Sequence, residues 1–521
     1  MLKGVMTVGS WTMASRILGF LRDMLIASFV GTGPVADAFF VANRLPNLFR
    51  RLFGEGAFNA AFVPEFTGLL ATDGHGHAAK FAQEAFGVMV FWLGLLTILG
   101  EVFMPQLLHA IAPGFARDPA KFELAITLSR ITFPYLFLIC LTALVSGVLN
   151  GLDRFAAAAA APVLYNAFSI GAMVLLAPHV ATVGHALAWG VSLSGIAQLA
   201  LLIWAMHRAG MPLTLPVPRF TPQMRALLKR MAPGLVGAGV TQLNLALDTV
   251  IGSLLPAGAV SLLYYADRVN QLPLGVIGVA VGTALLPMLS RQMRTGDDER
   301  AKVTMNRAIE LALFLTLPAA LALAVSGAPI MYVLFARGAF TLENAISSSE
   351  SLAAYAFGLP VFVLLKVLTP AFFARGDTST PVKIGLATVA LNIALNFAFM
   401  YPLQHIGPAL ATSVAAYANC AALLIMLVKR GQFGADARLV RRLPRMAVAS
   451  LLMAVALYVV GNWMHAALFA NSALRWGALV VLVSVGLGVY FIACQLLGAF
   501  DIRELAAQLR RRAAAKSDPA P

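Results

Sequence analysis

The sequence predicts an all-α polytopic membrane protein of about 14 transmembrane helices, with two six-helix lobes related by a parallel repeat plus two extra C-terminal helices. Three observations carry this expectation. Hydrophobic residues make up 60% of the 521 and charged residues only 12%, with a mean hydropathy of +0.82. A soluble domain runs nearer half apolar and about a quarter charged, so a water-soluble enzyme is excluded. The apolar residues fall in runs that reach the roughly 20 residues a helix needs to cross a bilayer. Several landmarks also recur at one near-constant offset along the chain.

The first set of runs lies at 5–29, 35–65, 80–110, 124–150, 157–178 and 184–206. The opening run resembles a signal peptide in length, but Arg16 and Arg22 sit inside it and no small-residue cleavage site follows, so it reads as an uncleaved first span. A second set lies at 231–255, 260–289, 305–334, 351–374, 382–402 and 408–428, and two further runs at 446–465 and 476–499. Lys+Arg 38 against Asp+Glu 23 gives a net charge of +15, which in a membrane protein points to cytoplasmic loops rather than a nucleic-acid surface. With the N-terminus inside, the cytoplasmic joints collect 26 basic residues, and the opposite side has only Arg117, Lys121, Arg337 and Arg475. That asymmetry predicts both termini in the cytoplasm.

The repeat is read from paired landmarks. Gly33 recurs as Gly258, Leu45-Pro46 as Leu272-Pro273, Gly114 as Gly338, Pro134 as Pro360 and Gly151 as Gly376, at shifts of 224 to 227. Each copy holds six spans, and an even number returns the chain to its starting side. The copies should therefore be related by an axis along the membrane normal. The expected organisation is a first lobe at 1–225, a second at 226–430, two extra spans within 431–500, and a basic cytoplasmic tail at 501–521 resting on anionic headgroups.

Eight basic residues fall inside spans: Arg16, Arg22, Arg44, Arg50, Arg51, Arg130, Arg268 and Lys366. Each costs about 2.5–3.5 kcal/mol at mid-bilayer, even on the lenient insertion scale. One reading pairs them with local acids such as Asp23, Asp37, Glu55 and Asp267. The other places them around a water-filled cationic cavity between the lobes, matched to an anion. Arginine outnumbers lysine seven to one among them, which suits bidentate recognition of phosphate oxygens. Gly19 in the first span, and Pro46 and Gly54 in the second, are positions where a helix can bend toward a substrate.

In the second lobe, Asp248 matches Arg22 at a shift of 226, Asn392 and Asn396 are four apart and share one helical face, and the next span has Thr412. Such oxygen ligands could hold a small monovalent cation, but an interhelical hydrogen-bond cluster is the favoured reading of the same residues. GVAVG at 278–282 reads as a small-residue helix contact and 156–161 as low-complexity helix. The three cysteines Cys140, Cys420 and Cys494 and the eight histidines show no metal-ligand or disulfide spacing. No GxxxxGK[ST] is present, so an ion gradient or the membrane potential is the expected energy source, with no cofactor.

The stretch SRILGFLRDMLIASFVGTGPVADAFFVANRLPNLFRRLFGEGAFNAAFVPEF at 15–66 closely resembles the start of the MurJ/MviN family, lipid II flippases of the multidrug/oligosaccharidyl-lipid/polysaccharide exporter superfamily. APGF (112–115), ITFPY (131–135), YYADRVNQLPLGVIGVAVGTALLP (264–287), LFARGAF (334–340) and LKVLTPAFFARGDTSTPVKI (365–384) extend the resemblance over both lobes. It implies a monomeric alternating-access transporter that carries the undecaprenyl-pyrophosphate-linked peptidoglycan precursor to the outer leaflet of the bacterial inner membrane, with cell-wall synthesis proteins as candidate partners. It places the family's cavity arginines on Arg16, Arg22, Arg50 and Arg268, an essential acid on Asp37, and a lipid-tail groove on spans thirteen and fourteen. The sodium site of some members falls on Asp248, Asn392 and Thr412, but its second acid is Asn396 here. Two alternatives stand beside this reading. A drug/cation antiporter or an exporter of another lipid-linked saccharide belongs to the same superfamily. Twelve spans and a mainly acidic cavity would mark the antiporter. A lipid-phosphate transferase would need chemistry that the outward acids Asp118, Glu123, Glu343 and Glu350 lack, with neither a histidine partner nor metal spacing. No enzymatic activity is expected.

Overall fold

Apolar runs with proline at their starts and glycine at their joints fold here as helices, and the prolines decide where several of them begin. In the computed structural model the described residues are 2–50, 57–214, 218, 221–294 and 297–499, and no strand occurs among them. In chain order the first helices are α1 (Leu2–Val30), α2 (Pro34–Phe49), α3 (Ala57–Thr72), α4 (Gly74–Val102), α5 (Met104–Ile111), α6 (Pro119–Thr132), α7 (Pro134–Gly151), α8 (Phe155–Leu175), α9 (Val183–Arg208), α10 (Pro222–Leu254) and α11 (Ala259–Arg294). They are followed by α12 (Asp298–Val325), α13 (Gly327–Phe335), α14 (Leu342–Phe373), α15 (Ser379–Leu403), α16 (Ile406–Lys429), α17 (Ala437–Trp463), α18 (His465–Leu468) and α19 (Leu474–Leu496).

Among the described residues, ten helical segments are long and apolar enough to cross a membrane, and the protein is a polytopic, all-helical membrane protein. The other four sequence-read spans fall on α1, on α2 with the residues after it, on α10 and on α11. Those four hold Arg16 and Arg22, Arg44 and Arg50, Asp248, and Arg268. Two runs read as single spans are divided. The run at 35–65 holds α2 and the start of α3. The run at 80–110 breaks at Phe103 into α4 and α5, whereas 124–150 lies in one membrane-crossing segment, Pro119–Gly151, in which α6 passes into α7 through Phe133 with helical dihedrals. Pro105 and Pro134 stand in the first turn of the new helices, where a missing N–H costs nothing. Conversely α1 runs unbroken through Gly19 and α2 continues through Pro46, so neither position breaks its helix. The Arg51, Gly54 and Glu55 readings and the basic tail at 501–521 lie outside the described residues.

The chain divides into two compact units, one of Met1–Tyr264 with Phe335–Asn344, the other of Tyr265–Leu334 with Ala345–Pro521. In the first, Phe58, Phe62 and Phe66 stand one turn apart on α3 and stack at centroid distances of 5.0 and 5.8 Å, with Phe81 of α4 at 5.4 Å from Phe62. Gly147 and Gly151 of α7 let α3 approach, since a Cβ at Gly151 would lie 2.7 Å from the Phe66 ring.

In the second unit, one core joins α11, α12, α14 and α16, and another joins α12 to α17 and α19 through Phe314, Met446, Leu457, Leu482 and Tyr490. Glu310 of α12 is buried and holds three arginines, Arg307 at 2.7 Å, Arg442 at 2.6 Å and Arg438 at 3.1 Å, which fastens α17 to α12. In the joint before α15, Asp377 accepts from Arg430 at 2.6 Å and from the Thr380 hydroxyl at 2.6 Å, contacts that hold its carboxyl well below the usual carboxylate range.

Proline inside α12 creates one defined need. Pro318 has no N–H for the carbonyl of Phe314, four residues earlier, and in a bilayer an unmet carbonyl is costly. The Tyr490 hydroxyl of α19 donates to that oxygen at 2.6 Å. Tyr490→Phe keeps the ring and removes the donor. It is expected to lower stability by about 1–2 kcal/mol, read as a lower unfolding midpoint in detergent. An unchanged midpoint would show that the carbonyl has no need of the hydroxyl.

Candidate functional site

A polar chain crosses the first unit where composition alone predicts hydrocarbon. Arg22 of α1 is about one-eighth exposed and pairs with Asp23 at 2.7 Å. Its other terminal nitrogen donates to Asn166 Oδ1 of α8 at 3.0 Å, and its guanidinium lies 5.1 Å from the Tyr165 ring centroid. Asn166 in turn donates to the Ser15 and Pro162 carbonyls at 3.0 and 3.2 Å. A Cβ at Gly19 would stand 3.5 Å from the Asn166 amide nitrogen, an ordinary contact, so the approach does not itself demand glycine. Asp23 also accepts from the Tyr264 hydroxyl at 3.1 Å, and the Tyr264 ring stacks on Phe40 of α2 at 3.8 Å.

The chain continues along α2. The Tyr165 hydroxyl meets Asn43 at 3.2 Å, Asn47 donates to the Asn43 carbonyl at 2.8 Å, and Arg50 Nε donates to Asn47 Oδ1 at 3.2 Å. Arg50 also lies within electrostatic reach of Tyr135 and Cys140 on α7. The structure thus connects Arg22 to Arg50 through Tyr165, Asn43 and Asn47. Sequence reading singled out both arginines and none of the three connectors. Asn43 and Asn47 are spaced four apart, a pair on one helical face, and Asn166 is a lone amide in an apolar span. Both signals were present. Arg16 lies on α1 with its side chain exposed, and Arg44, also exposed, donates to Thr249 of α10 at 2.5 Å.

Asp37 sits elsewhere, fully buried. Its Oδ2 pairs with Lys121 Nζ at 2.8 Å and accepts the Gly258 N–H at 2.7 Å, while Oδ1 accepts the Ser261 N–H at 2.9 Å. Those two amides belong to the first turn of α11 and the residue before it, so the carboxylate caps that helix and meets the positive end of its dipole. The Lys121 ammonium also lies 4.0 Å from the Phe115 ring centroid. Lys121, expected in an outward loop, is buried, and so is Arg475, which lies against the Tyr332 ring at 5.6 Å.

In the second unit, Arg268 is half-buried on α11, and its neighbour Asp267 accepts from Gln271 at 3.1 Å. Lys366 of α14 lies on Gly278, where a Cβ would stand 2.8 Å from its ammonium, so the first glycine of GVAVG accommodates a lysine. Asn392 and Asn396 of α15 are buried, and Asn392 donates to Thr412 of α16 at 3.4 Å. Asn396 donates to both oxygens of Asn392. Asp248 lies half-buried on α10 of the first unit. No group of three or more His, Cys, Asp or Glu suited to a metal occurs among the described residues.

The family model "Lipid II flippase MurJ" matches residues 26–478. A probable lipid II flippase MurJ of Rhizobium meliloti (strain 1021) is 43% identical over 523 residues, covering 99% of this chain and 98% of the relative. The lipid II flippase MurJ of Burkholderia cenocepacia is 36% identical over 457 residues, covering 87% and 88%. A solved lipid II flippase MurJ in an inward closed conformation superposes with a TM-score of 0.78 at 25% identity, covering 96% of this chain and 99% of that one. An inward-facing multidrug transporter of the MATE family shares the fold, with a TM-score of 0.67 at 13% identity over 81% of this chain and 98% of that one.

The Arg22–Asn166 contact invites a double-mutant cycle. Arg22→Gln and Asn166→Ala, alone and together, should show a coupling of about 1 kcal/mol or more in denaturant unfolding. Additivity within about 0.5 kcal/mol would mean the two side chains do not support each other.

Proposed function

The chain belongs to the MurJ family of lipid II flippases, and we propose that it carries the lipid-linked peptidoglycan precursor from the inner to the outer leaflet of the bacterial cytoplasmic membrane by alternating access. The observation that carries the mechanism is the polar chain from Arg22 to Arg50. Arginine is expensive in a bilayer, and Arg22 is oriented by the Asn166 amide and the Tyr165 ring and Arg50 by the Asn47 amide. Oriented guanidinium groups present planar forks to phosphate oxygens. Arg16, Arg22, Arg50 and Arg268 are proposed to serve the pyrophosphate of the substrate. Asp37, with its oxygens already engaged by Lys121, Gly258 and Ser261, is proposed to position elements rather than to touch substrate. The N- and C-termini are proposed to face the cytoplasm, from the 26-to-4 distribution of basic residues.

For the candidate cation site, Asn392, Asn396 and Thr412 offer amide and hydroxyl oxygens, and Asp248 of α10 is its one carboxylate. The contacts among Asn392, Asn396 and Thr412 support the reading as a hydrogen-bond cluster. The membrane potential is the proposed drive, since one positive charge moving inward gains roughly 2.3 kcal/mol per 100 mV. Collapsing the potential at constant ATP should stop transport, and continued flipping would exclude this drive.

Depleting the protein and asking in which leaflet lipid II accumulates tests the direction of transport. Accumulation in the inner leaflet is expected, and accumulation in the outer leaflet would overturn the proposal. Charge-assisted hydrogen bonds contribute about 1.5–3 kcal/mol each, so Arg268→Ala should abolish complementation of the depleted strain while the protein still inserts. Arg268→Lys keeps the charge without the fork and should retain partial function at best. Full growth on Asp267→Asn with Arg268→Gln would argue against substrate contact.

A further inference from the structure

Four joints meet inside the first unit, and they are those that follow spans one, three, seven and nine of the repeat. In the joint after α13, Ala339 donates its N–H to the Ser28 carbonyl of α1 at 2.8 Å, and Thr32 donates to Asn344 at 2.8 Å. Gly338 and Gly31 have φ of +55° and +67°, and a side chain at either would strike the backbone of Ser28 or Ala339. In the joint after α5, Gly114 donates its N–H to the Ser253 hydroxyl of α10 at 3.1 Å, and a Cβ there would land on the Ser253 carbonyl.

These two contacts are equivalent. Ser253 follows Ser28 by 225 residues and Gly338 follows Gly114 by 224, the offset of the repeat. The third-span joint of each copy thus grips the first-span end of the other, and the grip is reciprocal. Between the two lies Asp37, joined to Lys121 of the first copy and to the Gly258 and Ser261 amides of the second. If every span crosses the bilayer, joints one, three, seven and nine lie on one face, opposite the N-terminus.

We infer that these joints form the outer gate of the transporter and that Lys121 is its lock, a positioning residue for the flipping reaction. The inference rests on the proposed orientation and on alternating access. The physical reason lies in Asp37. A buried carboxylate is tolerated only while its charge is met, and two backbone amides plus one ammonium meet it only when the joints are together. Lys121 reaches the carboxylate from α6 while its charge rests on the Phe115 ring. Opening the gate withdraws the Gly258 and Ser261 amides of the second copy from Asp37 and lets water hydrate the carboxylate. Without Lys121 the closed arrangement has an unmatched anion, and the balance moves to the open one.

Ser253→Cys serves as reporter, because Ser253 is 3% exposed and Cys140, Cys420 and Cys494 are buried. A membrane-impermeant maleimide added to intact spheroplasts should label it slowly in the otherwise native chain, and at least tenfold faster with Lys121→Met. Adding Asp37→Asn to Lys121→Met removes the unmatched anion and should return labelling toward the starting rate. Lipid II distribution is followed in the same cells. Faster labelling with unchanged lipid II distribution would count against the flippase reading and leave the gate standing. Unchanged labelling, or acceleration only from the cytoplasmic side, would overturn the gate. A second measurement does not depend on the fate of the Lys121 variant. Thr32→Cys and Asn344→Cys joined by a short reducible bis-methanethiosulfonate should stop transport, with recovery on reduction. Transport that continues in the cross-linked protein would overturn the proposal.

Discussion

Burying one carboxylate constrains much of the first unit. Asp37 is fully buried on α2, where an uncompensated anion would be among the most expensive features a folded chain can hold. Its neutralisation draws three separate pieces of chain to one point: the start of α6 with Lys121, the 3-10 turn at Pro113–Arg117 whose Phe115 lies under that ammonium, and the turn from α10 into α11. None of these contacts is local in sequence, since Lys121 is 84 positions from Asp37 and Gly258 is 221. Glycine follows from the same constraint. Gly258, at φ +94°, makes a turn that presents its amide to the carboxylate, a conformation costly for any residue with a Cβ.

The bilayer imposes a second constraint, and the protein meets it in the same way at two distant places. Pro46 in α2 leaves the Ala42 carbonyl without its helical donor, and the Thr132 hydroxyl of α6 donates to it at 3.2 Å. Pro318 in α12 does the same to Phe314, and Tyr490 of α19 answers. In both cases the proline weakens one helix and the hydroxyl binds a neighbouring one. A defect in secondary structure becomes a tertiary contact. Helices in lipid lack a hydrophobic force holding them to one another, so such contacts carry more of the packing than they would in water.

How much of this was legible in the sequence depended on whether the signal was local. Helical membrane character followed from composition, and the in-span arginines stood out because each is improbable where it lies. Arg22 and Arg50 fall in one connected polar chain, yet that chain runs through Tyr165, Asn43 and Asn47, whose relevance depends on which faces of α1, α2 and α8 meet. A single sequence with no pairing information does not specify those faces. Lys121 reads as part of an outward loop because it falls between the apolar runs 80–110 and 124–150, and nothing nearby reveals that it is buried. The break at Phe103 was missed for another reason. A long apolar run scores as one span whether or not a proline divides it, and hydropathy contains no term for a missing N–H.

Arg22 carries its own counter-ion, which bears on how such a site can release what it binds. Its Nε and one terminal nitrogen face Asp23, and the other terminal nitrogen faces Asn166, so the resting guanidinium is already well satisfied. In the proposed cycle a pyrophosphate that engages Arg22 exchanges one set of charge-assisted hydrogen bonds for another. The gain is the difference between the two, not the full strength of an arginine–phosphate contact. A bare arginine in the same place would cost more to insert and would hold the anion more tightly. Asp23 lowers both. A ligand shifts a conformational balance only by its differential affinity for the two states, so a carrier needs binding that is specific in geometry yet modest in net strength. A guanidinium shared with a neighbouring carboxylate, and held in orientation by Asn166 and Tyr165, has both properties.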